Sequence, residues 1–441
     1  MKILERLLAP AKFEYLWLVP LIGMLTIYGA GSVIGLLVFH DEAALTLLGI
    51  LVLGALVYIL GYLAIGRRIS LDFLSAWRGR VGVNTNVVIG VIVALYFLMI
   101  AYSAFTAPKL ALFEALRGAN ASDISIARQM LFITRTGPEK ILVYLNAFLS
   151  SVFLPYAIAT SYLDKKKYRH ILLFAFVLSL TLSLEKALVI KAFLPLVILA
   201  INRWMPRRSG VIFGALMVAI VMSMTSLSKM GNVGDGVAER GALSRTFDQT
   251  KAGRVPGAES KMLGFVLAEV AKLGEKIEPL KNRFALVDSG SLSGYLVNRI
   301  LWIPYVTAYD WILYFNRELD SEYLTGRTSL VVSFLTGQQK FNMSGEVFAA
   351  EYGSDGTLNT GSSNTIFLVD MFVNFGWIGV IGVAFVVMLM SRFFERIGDP
   401  AATACYYYFI YQLMIGSFFG VMFSDGVAAF LLLVCFVRPK R

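Results

Sequence analysis

Histidine is nearly absent from this chain of 441 residues, with only His40 and His170, and cysteine is as scarce, with only Cys405 and Cys435. Two histidines so far apart exclude a histidine-built metal centre. The two cysteines both lie in apolar runs, so no disulfide and no thiolate-held metal can order a polar part of the chain. Charge is thin as well, at 16% of residues. Also missing are a G-x-x-x-x-G-K-[ST] phosphate loop, an H-E-x-x-H pair and a G-x-S-x-G elbow, which removes the common nucleotide-hydrolysing, zinc-protease and serine-hydrolase readings.

What is present is apolar length. The composition is 57% hydrophobic, and uncharged apolar runs repeatedly exceed the roughly 18 residues that mark a transmembrane helix. Spans are expected near 15–38, 43–66, 86–105, 141–163, 171–184, 187–202, 210–228, 365–391, 402–423 and 426–437. The fold class is therefore an all-α polytopic membrane protein of about ten helices. The first run is too long for a signal peptide and lacks an A-x-A cleavage site, so it reads as an uncleaved span.

The net charge of +11 could point to nucleic acid. The basic residues instead cluster between apolar runs, as the positive-inside rule requires, and no nucleic-acid partner is expected. The clusters Arg67/Arg68/Arg78/Arg80, Lys165/Lys166/Lys167/Arg169, Arg203/Arg207/Arg208, Arg392/Arg396 and Arg438/Lys440/Arg441 fall on one face. That face reads as cytoplasmic, with both termini on it.

Three parts then divide the chain: an N-terminal bundle of about seven spans over 1–228, a large extracytoplasmic loop over 229–364, and C-terminal spans over 365–441. A medium outer loop runs from Pro108 to Lys140, and Asp41-Glu42 reads as a polar turn. The run 171–184 would rise only about 21 Å, so the turn that follows, with Glu185, Lys186 and Lys191, should lie at membrane depth. Such groups either snorkel to the interface or face a wet cavity, a partner or an ion. The break at Ser424-Asp425-Gly426 reads as an ordinary turn.

Charge in the large loop is mixed, so topology does not explain its arginines. Residues 261–284 show amphipathic helical spacing. Residues 294–315 are rich in aromatics and contain Pro304, which reads as a bent helix at the headgroup level. Arg299 interrupts that run. It is either an intraprotein ion pair or rim residue, or a clamp on a lipid diphosphate. Arg327, Arg245 and Arg254 are weaker candidates for the same role, and Lys186 is another. Glu346 and Glu351 form a carboxylate pair, with Asp310 and Asp370 behind them as further general-base candidates. Small polar residues after Glu351, among them Asn359 and Asn364, suit sugar hydroxyls, as does Tyr305.

The helix NRILWIPYVTAYDWILYF followed by GTLNTGSSNTIFLVDMFVNFGWIGVIG resembles bacterial oligosaccharide repeat unit polymerases of the Wzy, or O-antigen polymerase, type. Asn359 to Gly361 and Asp370 to Gly379 carry most of the likeness, which covers about residues 294–392. It implies a GT-C-like bundle and a glycosyltransferase of the inner membrane. The enzyme would move a growing glycan from undecaprenyl diphosphate onto a lipid-linked acceptor, without nucleotide sugar, metal or other cofactor. Expected partners are the lipid-linked donor and acceptor, membrane lipids and a chain-length regulator protein. An O-antigen ligase is the nearest alternative, but that family uses a histidine in the large outer loop and this chain has none there. A transporter or flippase of lipid-linked oligosaccharides is a third reading; few ionisable residues in the spans speak for it.

Overall fold

The computed structural model describes residues 15–70, 77, 82–119, 121–132, 134–184, 186–230, 284, 286, 287, 294, 297–352 and 362–438. Among the described residues the regular structure is helical, apart from a two-residue parallel contact of Val83 and Asn84 with Val437 and Arg438. Among the described residues six helices are long and apolar enough to cross a membrane. They are α1 (Leu18–Phe39), α2 (Glu42–Ala64), α3 (Thr85–Thr106), α6 (Gly137–Leu163), α9 (Arg207–Met230) and α13 (Phe367–Arg396). Between α3 and α6 lie the short α4 (Ala111–Leu116) and α5 (Ala121–Phe132).

The remaining expected spans are helical but shorter: α7 (Arg169–Thr181), α8 (Lys186–Ile201), α14 (Pro400–Met414) and α15 (Val427–Phe436). At 1.5 Å per residue they reach roughly 15–24 Å, short of a full hydrocarbon core. The short α7–α8 hairpin follows from the charged stretch that divides its apolar run. The run 402–423 differs from expectation, because its helix stops at Met414. The helical backbone is interrupted over residues 415–417, and a π-turn over Gly420–Ser424 leads back into α15. Non-helical backbone at such depth is stable where it is enclosed by protein or lines a cavity.

Three contacts gather four of the five basic clusters at one end of the bundle. The short β contact joins the chain after Arg80 to the C-terminal cluster. Lys166 Nζ donates to Asn86 Oδ1 at 2.9 Å. The Arg392 guanidinium donates to Ile69 O at 3.2 Å. Arg392 is 4% exposed and also pairs with Glu395 at 2.8 Å, so it locks helices together besides carrying charge. At the far end, Leu112 N donates to Leu182 O at 3.4 Å, which brings the Pro108–Lys140 loop to the α7–α8 turn.

Residues 298–318 depart from expectation in place. A π-turn, Asn298–Trp302, continues into α10 (Ile303–Glu318), with Pro304 in its first turn, so the expected bend is there. The aromatics, however, do not sit at a headgroup surface: Trp302, Tyr305, Tyr309 and Trp311 are buried. α10 packs on α1, α2 and α13, and its π-turn packs on Leu25–Gly29 in the middle of α1. Tyr305 lies over Gly31 and Gly35, while Tyr309 donates to Asp41 at the N-cap of α2. Residues 298–309 thus descend along α1. The close approach needs glycine: a Cβ on Gly35 would lie 2.1 Å from the Tyr305 ring. Gly35→Ala is expected to destabilise the protein by about 1–3 kcal/mol, read as a lower melting temperature. Adding Tyr305→Leu should recover most of the loss; an unshifted single variant would refute the contact.

Candidate functional site

At the end away from the basic clusters lies a cavity of about 130 Å³. Four chain segments wall it, and Trp311 of α10 closes it. The first is Thr328–Val331, where α11 (Leu330–Thr336) begins; the second is Lys340–Ser344, leading into α12 (Met343–Tyr352). The third is Asn364–Thr365 ahead of α13, and the fourth is drawn from Ser417–Ser424 after α14. Hydroxyls and amides dominate the wall, and among the described residues lining it Lys340 alone is charged.

The motif from Asp370 to Gly379 builds the frame of this cavity. α13 is broken at Gly376, whose φ of 64° is open to glycine at little cost. The break leaves the carbonyls of Val373 and Asn374 to accept from Leu324 N at 3.0 Å and Thr325 N at 2.9 Å. The Asn374 amide oxygen accepts from Gly326 N at 2.9 Å, and its nitrogen donates to Thr328 Oγ1 at 2.8 Å. Asp370 accepts from Thr328 Oγ1 at 3.0 Å on one oxygen and from Phe418 N at 3.1 Å on the other. One turn of helix therefore ties two opposite walls together. Both side chains are fully buried, so their work is structural.

A charged network lies behind the wall formed by Ser417–Ser424. Lys191 Nζ of α8 donates to Ser151 Oγ of α6 at 2.8 Å, and Ser151 in turn bonds the Asp425 carboxylate. Gln412 Nε2 donates to the same carboxylate at 3.0 Å. Lys191 has found an internal partner, and Asp425 belongs to a polar anchor instead of an ordinary turn.

The expected site residues are scattered by the fold. Asn364 lines the cavity. Arg327 stands just behind the wall, its Nε donating to Gln339 O at 3.3 Å and its guanidinium 5.8 Å from the ring centre of Phe341, which does line it. Glu346 is exposed on α12, outside the cavity wall. Burial and the carboxylates of Glu346 and Glu318 hold the Tyr314 phenol above its ordinary range. Glu351 is buried and accepts from Ser363 Oγ. Asp310 is fully enclosed in α10, and Tyr305 is sealed against α1, so neither is placed to meet a substrate.

Arg299 is exposed, level with Leu25–Gly29 and near the Tyr411 phenol. The 12 residues from Arg299 to Trp311 span roughly 18 Å, which separates it from the cavity. Lys186 begins α8, but its side chain lies outside what the structure describes; Arg245, Arg254, Asn359, Glu185 and nearly all of the 261–284 helix also lie outside the described residues. The cavity residues that sequence reasoning passed over are Lys340, Asn342, Ser417 and Ser424. The signal for the last two was the cluster of glycine and serine inside an apolar run.

Compared with protein-family models, curated proteins and solved structures, the chain matches none of them.

Proposed function

We propose that the chain is a glycosyltransferase of the bacterial inner membrane that polymerises undecaprenyl-diphosphate-linked repeat units, with about ten helices in a GT-C-like layout. The observation that carries the reading is the polar cavity with Lys340 on its wall, framed by the very residues, Asp370 to Gly379, on which the likeness to Wzy-type polymerases rests. The basic end faces the cytoplasm and the cavity end the periplasm, where lipid-linked repeats are joined.

In this reading the acceptor hydroxyl oxygen attacks the anomeric carbon of the donor. The bond from that carbon to the diphosphate breaks, and the diphosphate leaves with the electron pair. Lys340 opposes the charge that develops on it, with Arg327 adding positive potential from behind the wall. Asn342, Asn364 and Ser417 hold sugar hydroxyls. The acceptor proton passes through a bridging water to Glu346, the exposed carboxylate of the pair, which stands outside the cavity wall. Arg299, roughly 18 Å from Trp311 along the helix, takes no part in this step.

Purified protein in nanodiscs, given lipid-linked repeat units from the source cell, is expected to yield a glycan ladder. Lys340→Ala should lower the rate by about 10²–10³-fold, and Glu346→Gln by about 10²–10⁴-fold. A substrate supply that yields no ladder with the unaltered protein would overturn the reading. Normal turnover in Glu346→Gln would remove the base assignment alone.

A further inference from the structure

Glu351 occupies a position that packing alone would give to an apolar residue. Met343, Val347 and Glu351 recur every four residues on α12, which puts them in one stripe, and they are 1%, 0% and 7% exposed. Glu346, five residues before Glu351, lies about 140° away around the helix and faces out. A carboxylate in a buried stripe is costly unless hydrogen bonds hold it. Its presence marks a polar task on the inner side of α12.

The group that meets it is Ser363, and all three polar groups of Ser363 are used. Its hydroxyl donates to the Glu351 carboxylate, its N–H donates to Ser344 O at 3.0 Å, and its carbonyl accepts from Trp311 Nε1 at 2.7 Å. One buried residue thus joins the last turn of α12, its first turn and the middle of α10. Both bonds to α12 fit together because a helical side chain leans toward the helix N-terminus, so Glu351 reaches back toward Ser344.

Asn364 and Thr365 follow directly, and both line the cavity. Residues 362–366 have no regular structure, so bonds such as those of Ser363 set their course. Thr365 is buried, and its hydroxyl has no hydrogen-bond partner among the described residues. Such a group is destabilising as it stands, and a polar ligand in the cavity is the partner that remains.

We propose that Glu351 is a positioning residue: through Ser363 it sets the Asn364 amide and the Thr365 hydroxyl on the cavity wall for a hydroxyl-bearing ligand. It touches no reacting atom. This rests on the reading of the cavity as a site that holds sugar hydroxyls, and it takes Glu351 out of the general-base candidates.

Two readouts test the assignment, one of them without turnover. Hydrogen exchange of the full-length protein in nanodiscs follows the peptide that contains residues 362–367. Glu351→Ala and Ser363→Ala should each speed its exchange about tenfold or more, whereas Glu351→Gln, whose amide oxygen still accepts from Ser363, should keep it near the parental rate. Ser363→Ala removes a single oxygen atom, so the test survives a Glu351→Ala protein that does not fold. In the glycan ladder assay the two alanine variants should raise KM about tenfold and leave kcat within about threefold, and Glu351→Gln should recover most of the loss. The two alanine changes combined should be no worse than either alone, since both act through one bond. Turnover in Glu351→Gln as slow as in Glu351→Ala would make the carboxylate a reacting group and overturn the positioning role. Parental exchange in both alanine variants, or faster exchange with KM unchanged, would overturn it as well. If the unaltered protein forms no ladder, the polymerase reading falls and exchange alone decides whether Glu351 positions the wall. Parental exchange beside a working ladder removes the positioning role and leaves the polymerase reading.

Discussion

Asn374→Ala is expected to cost about 3–4 kcal/mol of stability and to abolish any activity housed in the cavity. The side chain accepts from Gly326 N and donates to Thr328 Oγ1 inside a fully buried setting. Truncation leaves the Gly326 N–H without its acceptor, and a buried donor left unmade carries its full desolvation penalty. It also removes a donor that helps hold Thr328 against Asp370, so two walls of the cavity separate. Thermal unfolding of the solubilised protein reads the effect directly. Asn364→Ala is the control, since that side chain lines the cavity without tying its walls together, and its change should stay within about 0.5 kcal/mol. A melting temperature for Asn374→Ala equal to that of Asn364→Ala would show that the motif is not the frame.

Lys191→Met is expected to be at least as damaging, at about 3–5 kcal/mol, because it strands the Asp425 carboxylate inside the bundle. The ammonium reaches Asp425 through Ser151, and Gln412 alone cannot replace a positive charge. Adding Asp425→Asn to Lys191→Met should recover a large part of the loss, since a buried pair that is neutralised together no longer carries an uncompensated charge. A double-mutant cycle measures this, and losses that simply add would show that the two groups do not interact. Activity need not return with stability. Asp425 adjoins Ser424 on the cavity wall, so a relaxed Gly420–Ser424 turn would lower substrate affinity in a refolded double variant.

The contrast between Asp370 and Glu346 shows how far reading the chain could go. Glu346 follows Ser344 and Gly345 while Asp370 sits in the apolar run FLVDMFV, but neither neighbourhood names the partners that separate a base from a structural group. The fold sends Asp370 into a network with Thr328 and Phe418 and leaves Glu346 exposed. Arg299 makes the same point about depth. Its neighbours in sequence suit a surface helix, but Gly31 and Gly35, far away along the chain, open a groove that draws Tyr305 and the preceding turn down along α1. The end of α14 was misplaced for a related reason. Hydropathy sums over a window and passes through Gly416 and Ser417, whereas the helical backbone stops there.

The sequence by itself determined that the chain is an all-α membrane protein, where its apolar helices run, and which clusters of positive charge separate them. These are local properties, fixed by transfer of a segment of side chains and backbone out of water. Only the tertiary structure decided that four of the basic clusters meet at one end, that a polar cavity forms at the other, and that Lys340 lies on its wall. Those outcomes depend on hydrogen bonds such as Asn374 to Gly326 and Lys191 to Ser151, between groups 48 and 40 residues apart. Satisfying buried polar groups is a property of the assembled bundle, and no single segment carries it.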